Sequence, residues 1–150
     1  AVIGQPGGCD IGARPIDIHI KALQQMGVSV ERGENTVAFT AEKLRGADIY
    51  LDFPSVGATE NIMVTALGAE GDTVIHNSAR EPEIVDLQNY LNSCGAKING
   101  AGGTKIMIKG GQKLHGTCHR IMGDRIEAGT FLMAAAGTGG EILPNGTAAK

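Results

Sequence analysis

Residues 14–27 read RPIDIHIKALQQMG, and residues 81–95 read EPEIVDLQNYLNSCG. In the first stretch Ile16, Ile20, Leu23 and Met26 fall at i, i+4, i+7 and i+10, one face of a helix. Pro15 suits the first helical turn, where a missing N–H costs nothing, and Gly27 is the expected stop. In the second stretch Pro82, Ile84, Leu87, Leu91 and Cys94 repeat that face, and Gly95 repeats the stop. Ile16 to Ile84, Leu23 to Leu91 and Gly27 to Gly95 are each 68 residues apart. A helix-plus-stop that recurs at one spacing predicts an internal repeat.

Working outward, Val28-Ser29-Val30 and Thr36 to Thr40 alternate as strands around a Gly33-Glu34-Asn35 turn, and Ala47 to Leu51 reads as a third strand. A second helix follows Ser55, carrying Ile62, Met63, Ala66 and Leu67, with Gly71 as its stop and Thr73-Val74-Ile75 as a fresh strand. Lys43-Leu44-Arg45-Gly46 then matches Lys113-Leu114-His115-Gly116, 70 residues on, and Gly57-Ala58-Thr59 matches Ala128-Gly129-Thr130, 71 residues on. Small drifts of this kind are what loop insertions produce. The expectation is one α/β domain over 1–150, built as two copies of a helix, strand, strand, strand, helix, strand unit. Copy one covers about 14–81 and copy two about 82–150. Cys94, at the position of Met26, is expected to be a buried structural thiol. Cys118, beside Thr117 and His119, is expected to sit half-buried in a strand.

The bulk properties narrow the class. The 150 residues are 42% hydrophobic and only 3% aromatic, so the core must be built from Ile, Val, Leu, Met and Ala. The 23 glycines without a collagen-like period imply many tight turns. A formal charge of -3 gives no nucleic-acid footprint. No apolar run is long enough to span a membrane, and no signal-peptide pattern opens the sequence. Cys9, Cys94 and Cys118 show neither CxxC nor a metal spacing, and no two of His19, His76, His115 and His119 have helical ligand spacing. No metal and no cofactor is expected, since GxxxxGK[ST] and a strand-to-helix GxGxxG are both absent. The bland reading is a soluble, cytosolic, thiol-containing α/β protein.

Chemistry gathers at helix starts. Gly4 to His19 reads GQPGGCDIGARPIDIH, a glycine-rich loop with Cys9 near its tip, just ahead of Arg14 and a helix N-terminus. Cations and helix N-termini stabilise thiolates, so Cys9 is a candidate reactive thiol; a surface cysteine without a role is the alternative. Arg14-Pro15-Ile16-Asp17 offers a guanidinium fork and backbone N–H groups to an anion such as a phosphate. Ser55-Val56-Gly57-Ala58-Thr59 offers hydroxyls and close backbone approach at the next helix N-terminus, or only an N-cap. His19 belongs to the first cluster or is a solvated helical histidine. Asp124, Arg125 and Glu127 mark the corresponding helix start in copy two, or form a local ion pair of little value.

Four stretches carry a specific resemblance: PGGCDIGARPIDIHIKALQQMG, LDFPSVGATENIM, NSAREPEIVDLQNYLNSCGAKINGAG and GDRIEAGTFLMAAA. Together they resemble the UDP-N-acetylglucosamine 1-carboxyvinyltransferase family, the bacterial enolpyruvyl transferases of peptidoglycan synthesis. The resemblance implies an inside-out barrel of repeated βαβαββ units with helices inside. It also implies transfer of the enolpyruvyl group of phosphoenolpyruvate to the 3-hydroxyl of UDP-N-acetylglucosamine, in the bacterial cytoplasm, without a cofactor. Carried over, Cys9 is the general acid, the adduct-forming thiol and the target of fosfomycin. Arg14, Pro15, Ile16, Asp17 and Ile18 contact the UDP-sugar, Arg14 also reaches the phosphoenolpyruvate side, and His19 lines the cleft. Phe53, Pro54, Ser55, Val56 and Gly57 form a second UDP-binding loop, with Phe53 standing where some members carry lysine. Asp124, Arg125 and Glu127 match the cleft-facing start of the other domain.

The resemblance covers roughly a third of the family's length, so the chain is expected to be a fragment that lacks its second domain and is inactive alone. Two further readings compete. One is the shikimate-pathway enolpyruvyl transferase, which lacks the loop-cysteine pattern and has different basic motifs. The other is a non-catalytic UDP-sugar-binding or structural domain, which has no need of a loop thiol.

Overall fold

A computed structural model of the chain describes residues 1–4 and 16–144, so Cys9, Arg14 and Pro15 lie outside the described residues. The chain divides into two compact units, 1–117 and 118–150.

The first unit opens with β1 (Val2–Gly4), α1 (Asp17–Gln25), β2 (Ser29–Arg32) and β3 (Thr36–Thr40). It continues with β4 (Asp48–Tyr50), α2 (Val56–Leu67), β5 (Asp72–His76), α3 (Pro82–Ser93), β6 (Lys97–Asn99) and β7 (Lys105–Lys109). The predicted turn closes the β2–β3 hairpin, with the Gly33 N–H donating to the Thr36 carbonyl at 2.8 Å. Three strands form an antiparallel sheet in the order β1-β3-β2. Four form a mixed sheet in the order β4-β5-β7-β6, in which β4 and β5 are parallel and the other pairs antiparallel. Both sheets are open.

Alternation along the mixed sheet decides where the core lies. Ile49, Ile75, Ile98, Ile106 and Ile108 point to one face and are buried, while Asp48, Tyr50, Lys105, Met107 and Lys109 occupy the other and are exposed. One covered and one wetted face is the ordinary arrangement for antiparallel pairing. The cover is α2, which packs on β5 and β7 and is flanked by α1 and α3. Its Ala58, Thr59, Ile62, Met63, Ala66 and Leu67 are all buried and form one stripe along the helix, while Asn61 and Val64 on the opposite side are exposed. Each fully buried Ile or Met contributes about 1.5–3 kcal/mol relative to exposure.

Helices α1 and α3 end alike. Gly27 and Gly95 have φ of +91° and +99°, which favours glycine. A Cβ at Gly27 would meet the Lys43 carbonyl at 3.1 Å, and one at Gly95 would meet the Lys113 carbonyl at 3.0 Å. The Arg45 N–H donates to the Met26 carbonyl at 3.0 Å, and the His115 N–H donates to the Cys94 carbonyl at 2.8 Å. Cys94 is buried, as expected from its place on the apolar face of α3.

Copy two departs from the expected unit beyond this point. Residues 110–124 contain no strand, and Cys118 is exposed rather than half-buried. The cause is pairing: β4 exists because β5, the strand after α2, lies beside it with Ile49 opposite Ile75. Among the described residues no strand follows the corresponding helix to partner residues near Cys118. The helix itself is formed: α4 (Arg125–Thr138) makes up most of the described second unit and ends at Gly139 with φ of +69°.

Candidate functional site

Two helix starts, far apart in sequence, meet in the first unit. In α1, Ile16 is the N-cap and makes no side-chain cap bond, so the helix begins one residue inside the predicted Pro15–Ile16 boundary. In α2, Ser55 is the N-cap and its Oγ accepts from the Ala58 N–H at 3.3 Å. The Val56 and Gly57 N–H groups are the first of that helix and have no intrahelical acceptor. They point out of the positive end of its dipole, an environment suited to an anion.

His19 is the side chain that joins the two. Its Nδ1 lies 2.6 Å from Asn61 Nδ2. A Cβ built on Gly57 would touch His19 Cε1 at 3.4 Å and Nε2 at 3.7 Å. Gly57 and Asn61 are four residues apart and share one face of α2, which is why a single ring reaches both. Partial burial holds the His19 pKa below its ordinary value, so the ring is neutral at pH 7.

The neighbouring charges are paired. Arg32 of β2 donates to Asp17 at 2.7 Å, and Lys21 donates to Asp52 at 2.8 Å. The hydrogen bond that Lys21 donates to Asp52, reinforced by the carboxylate's charge, raises the Lys21 pKa. Both pairs are exposed and add little stability, but the second ties α1 to the loop that carries Phe53. Phe53 is 59% exposed, a large apolar ring on the surface beside the α2 start. Ile18 is half-buried against the core and, with Lys21, Tyr50 and Asp52, lines a pocket of about 110 Å³.

Thr59, read from the sequence only as part of the Ser55–Thr59 helix start, and two residues the sequence reading missed hold this corner in place. Buried Thr59 donates through its hydroxyl to the Ser55 carbonyl at 2.8 Å and accepts from the Ala79 N–H at 3.1 Å. Asn77, with φ of +55°, donates from its side chain to the Leu51 carbonyl at 2.9 Å. Asn61 is the third. Thr and Asn within a helix or loop give no period to read, and only Asn77 carries a cue, since Asn tolerates the left-handed region.

Asp124, Arg125 and Glu127 lie in the second unit. Asp124 Oδ1 accepts from the Ile126 and Glu127 N–H groups at 2.8 and 3.0 Å, which makes Asp124 the N-cap of α4. A polar groove of about 760 Å³ lies at the C-terminal end of α1, lined by Gln24, Gln25, Ser29, Thr40 and Glu42. It contains none of the candidate site residues named from the sequence. Among the described residues no cluster of three or more His, Cys, Asp or Glu can hold a metal ion, and no helix is long and apolar enough to cross a membrane.

The chain belongs to the EPSP synthase (3-phosphoshikimate 1-carboxyvinyltransferase) family, whose model matches residues 2–150. It is 58% identical over 143 residues to UDP-N-acetylglucosamine 1-carboxyvinyltransferase 1 of Caldanaerobacter subterraneus, across 95% of this chain and 34% of the relative. The corresponding figures for UDP-N-acetylglucosamine 1-carboxyvinyltransferase 2 of Carboxydothermus hydrogenoformans are 55%, 95% and 34%. The chain thus spans about a third of the length of the curated relatives it matches. Among solved structures, the enolpyruvyl transferase NikO from Streptomyces tendae superposes with a TM-score of 0.72 at 23% identity, covering 82% of this chain and 32% of that one. EPSP synthase from Acinetobacter baumannii gives 0.68 at 28% identity, covering 90% and 31%.

Proposed function

We propose that this chain is the part of a UDP-N-acetylglucosamine enolpyruvyl transferase that holds the sugar nucleotide and carries the reactive thiol. The protein moves the enolpyruvyl group of phosphoenolpyruvate to the 3-hydroxyl of UDP-N-acetylglucosamine and releases phosphate, a cytoplasmic step of bacterial peptidoglycan synthesis. The observation that carries this reading is the convergence of His19 on Gly57 and Asn61, which draws segments 16–19 and 53–57 to one corner. Those are the two segments that the family resemblance assigns to the UDP-sugar. The names of the relatives at 58% and 55% identity favour the same acceptor.

The division of roles follows from chemistry. The substrates are polyanions, and the N–H groups at the α2 start, the His19 ring and Arg14 supply donors to them. Cys9, in the glycine-rich stretch ahead of Arg14, supplies the proton that the vinyl carbon takes up. The fold is read as two copies of the βαβαββ-type unit. The matched ends of α1 and α3 at Gly27 and Gly95 support it, as does the common strand order of β1-β3-β2 and β5-β7-β6, which opens each unit on the strand before its helix rather than at residues 14 and 82. Activity requires the remaining two thirds of the relatives' length, so this chain alone turns over negligibly.

Titration of UDP-N-acetylglucosamine into the isotopically labelled chain tests the reading. Amide shifts are expected to cluster at Arg14 to Ile18 and Ser55 to Gly57. Silence at these positions with millimolar ligand overturns it. Fosfomycin gives a second test: alkylation at Cys9 is expected, and adducts confined to Cys94 or Cys118 count against the assignment of the thiol.

A further inference from the structure

From the contact between α1 and α2 we infer that Asn61 is a positioning residue: its side-chain amide donates to His19 Nδ1 and so fixes the ring with its proton on Nε2, facing the start of α2. The inference rests on the sugar-nucleotide reading for the identity of the ligand, and on the geometry alone for the tautomer. At 2.6 Å the Asn61 Nδ2 to His19 Nδ1 contact is a short hydrogen bond. An amide NH₂ can only donate, so Nδ1 must accept, and a neutral imidazole that accepts on Nδ1 carries its hydrogen on Nε2.

The other side of the ring shows what that hydrogen is for. Cε1 and Nε2 are the ring atoms nearest to Gly57, and both lie within van der Waals reach of a Cβ placed there. The Nε2–H is thus carried on the side of the ring nearest Gly57, at the helix start whose Val56 and Gly57 N–H groups have no helical acceptor. A ring donor held by a second residue beside a helix N-terminus suits an oxyanion such as a phosphate of a nucleotide diphosphate. The absence of a side chain at Gly57 keeps the ring and the helix start in contact with the same volume. Without Asn61 the ring has no partner on Nδ1 to set its rotation. With a carboxylate in that place the Nδ1 would be the protonated nitrogen, and a neutral ring would turn an acceptor toward the anion.

Two substitutions test this, and both sit at an exposed helical position where the fold tolerates change. Histidine 15N shifts report the tautomer directly in the wild-type chain. The expected result is a neutral His19 with hydrogen on Nε2; a hydrogen on Nδ1 in the wild-type chain overturns the inference whether or not any ligand binds. UDP-N-acetylglucosamine is then titrated from about pH 6 to about pH 8.5, across the range where a perturbed histidine changes charge. Wild-type affinity is expected to stay level. In Asn61→Asp it is expected to fall about tenfold as pH rises and Nε2 loses its hydrogen, the loss expected for one hydrogen bond to a charged group. The added negative charge of the aspartate is constant over that range, so it cannot produce the slope. Asn61→Ala is expected to lose a few-fold without a slope. An Asn61→Asp chain that binds as wild type does at every pH overturns the inference. If the wild-type chain binds no UDP-N-acetylglucosamine while His19 keeps the Nε2 hydrogen and loses it in Asn61→Asp, the positioning role is supported and the sugar-nucleotide reading is overturned.

Discussion

The hydroxyl of Thr59 and the backbone N–H of Ala79 lie 3.1 Å apart, a buried hydrogen bond that clamps the first turn of α2 to the loop after β5. Because the same hydroxyl donates to the Ser55 carbonyl, one side chain satisfies groups on two elements and sets the angle at which α2 presents its start. Thr59→Val keeps the shape and removes both bonds. It leaves the buried Ala79 N–H without its partner and is expected to cost about 1–3 kcal/mol of unfolding free energy. Thr59→Ser is expected to recover most of it. Urea unfolding of the three proteins measures the difference, and a Thr59→Val chain as stable as wild type would show that the clamp is dispensable.

Thr73 predicts the opposite sign for the same exchange. Its Oγ1 is buried on β5 with no hydrogen-bond partner, so folding strips water from a hydroxyl and returns nothing. Thr73→Val replaces the hydroxyl by a methyl among apolar neighbours and is expected to raise stability by about 1 kcal/mol. A fall in the unfolding midpoint would mean that the hydroxyl has an acceptor in solution.

Gly110 predicts a steric failure. It follows β7, and a Cβ there would collide with the Ala69 carbonyl, lie 2.6 Å from the Gly71 oxygen and sit 3.0 Å from the Ala66 oxygen. All three are backbone atoms and none can swing aside. Gly110→Ala is expected to cost about 3 kcal/mol, at the upper end of ordinary overpacking. Gly129→Ala, at a helical position with nothing within 4 Å, is the control and is expected to be neutral or slightly stabilising. Thermal unfolding distinguishes them.

His19 sets a pH dependence of known direction. Burial lowers its pKa in the folded chain relative to the unfolded chain, where it lies near the ordinary 6.5. Below about that value the unfolded state therefore binds more protons than the folded state, and stability falls as pH drops. Above it both states are neutral at this position and the contribution is level. His19→Gln is expected to flatten the part of the stability profile between about pH 5 and about pH 6.5 that His19 contributes. An unchanged slope in that variant would remove His19 as its source.

The local grammar of this protein is written in its sequence. The spacing of Ile20, Leu23 and Met26 gives α1, Gly27 and Gly95 give two helix ends, Ser55 gives the cap of α2, and the match of Cys94 to Met26 gives a buried thiol. Each of these depends on neighbours within one or two turns, where backbone geometry leaves few choices. The motif residues around Asp17–His19 and Phe53–Gly57 are legible in the same way. Their meeting is not, because it depends on α1 and α2 packing side by side, which brings His19 to Asn61 across 42 residues. Thr59, Asn61 and Asn77 acquire their roles only from that packing. The strand expected near Cys118 fails for the same reason: alternation makes a segment able to pair, and only a neighbouring strand makes it do so. Sequence determined the elements and the chemistry each could carry; the tertiary structure decided which of them share a site.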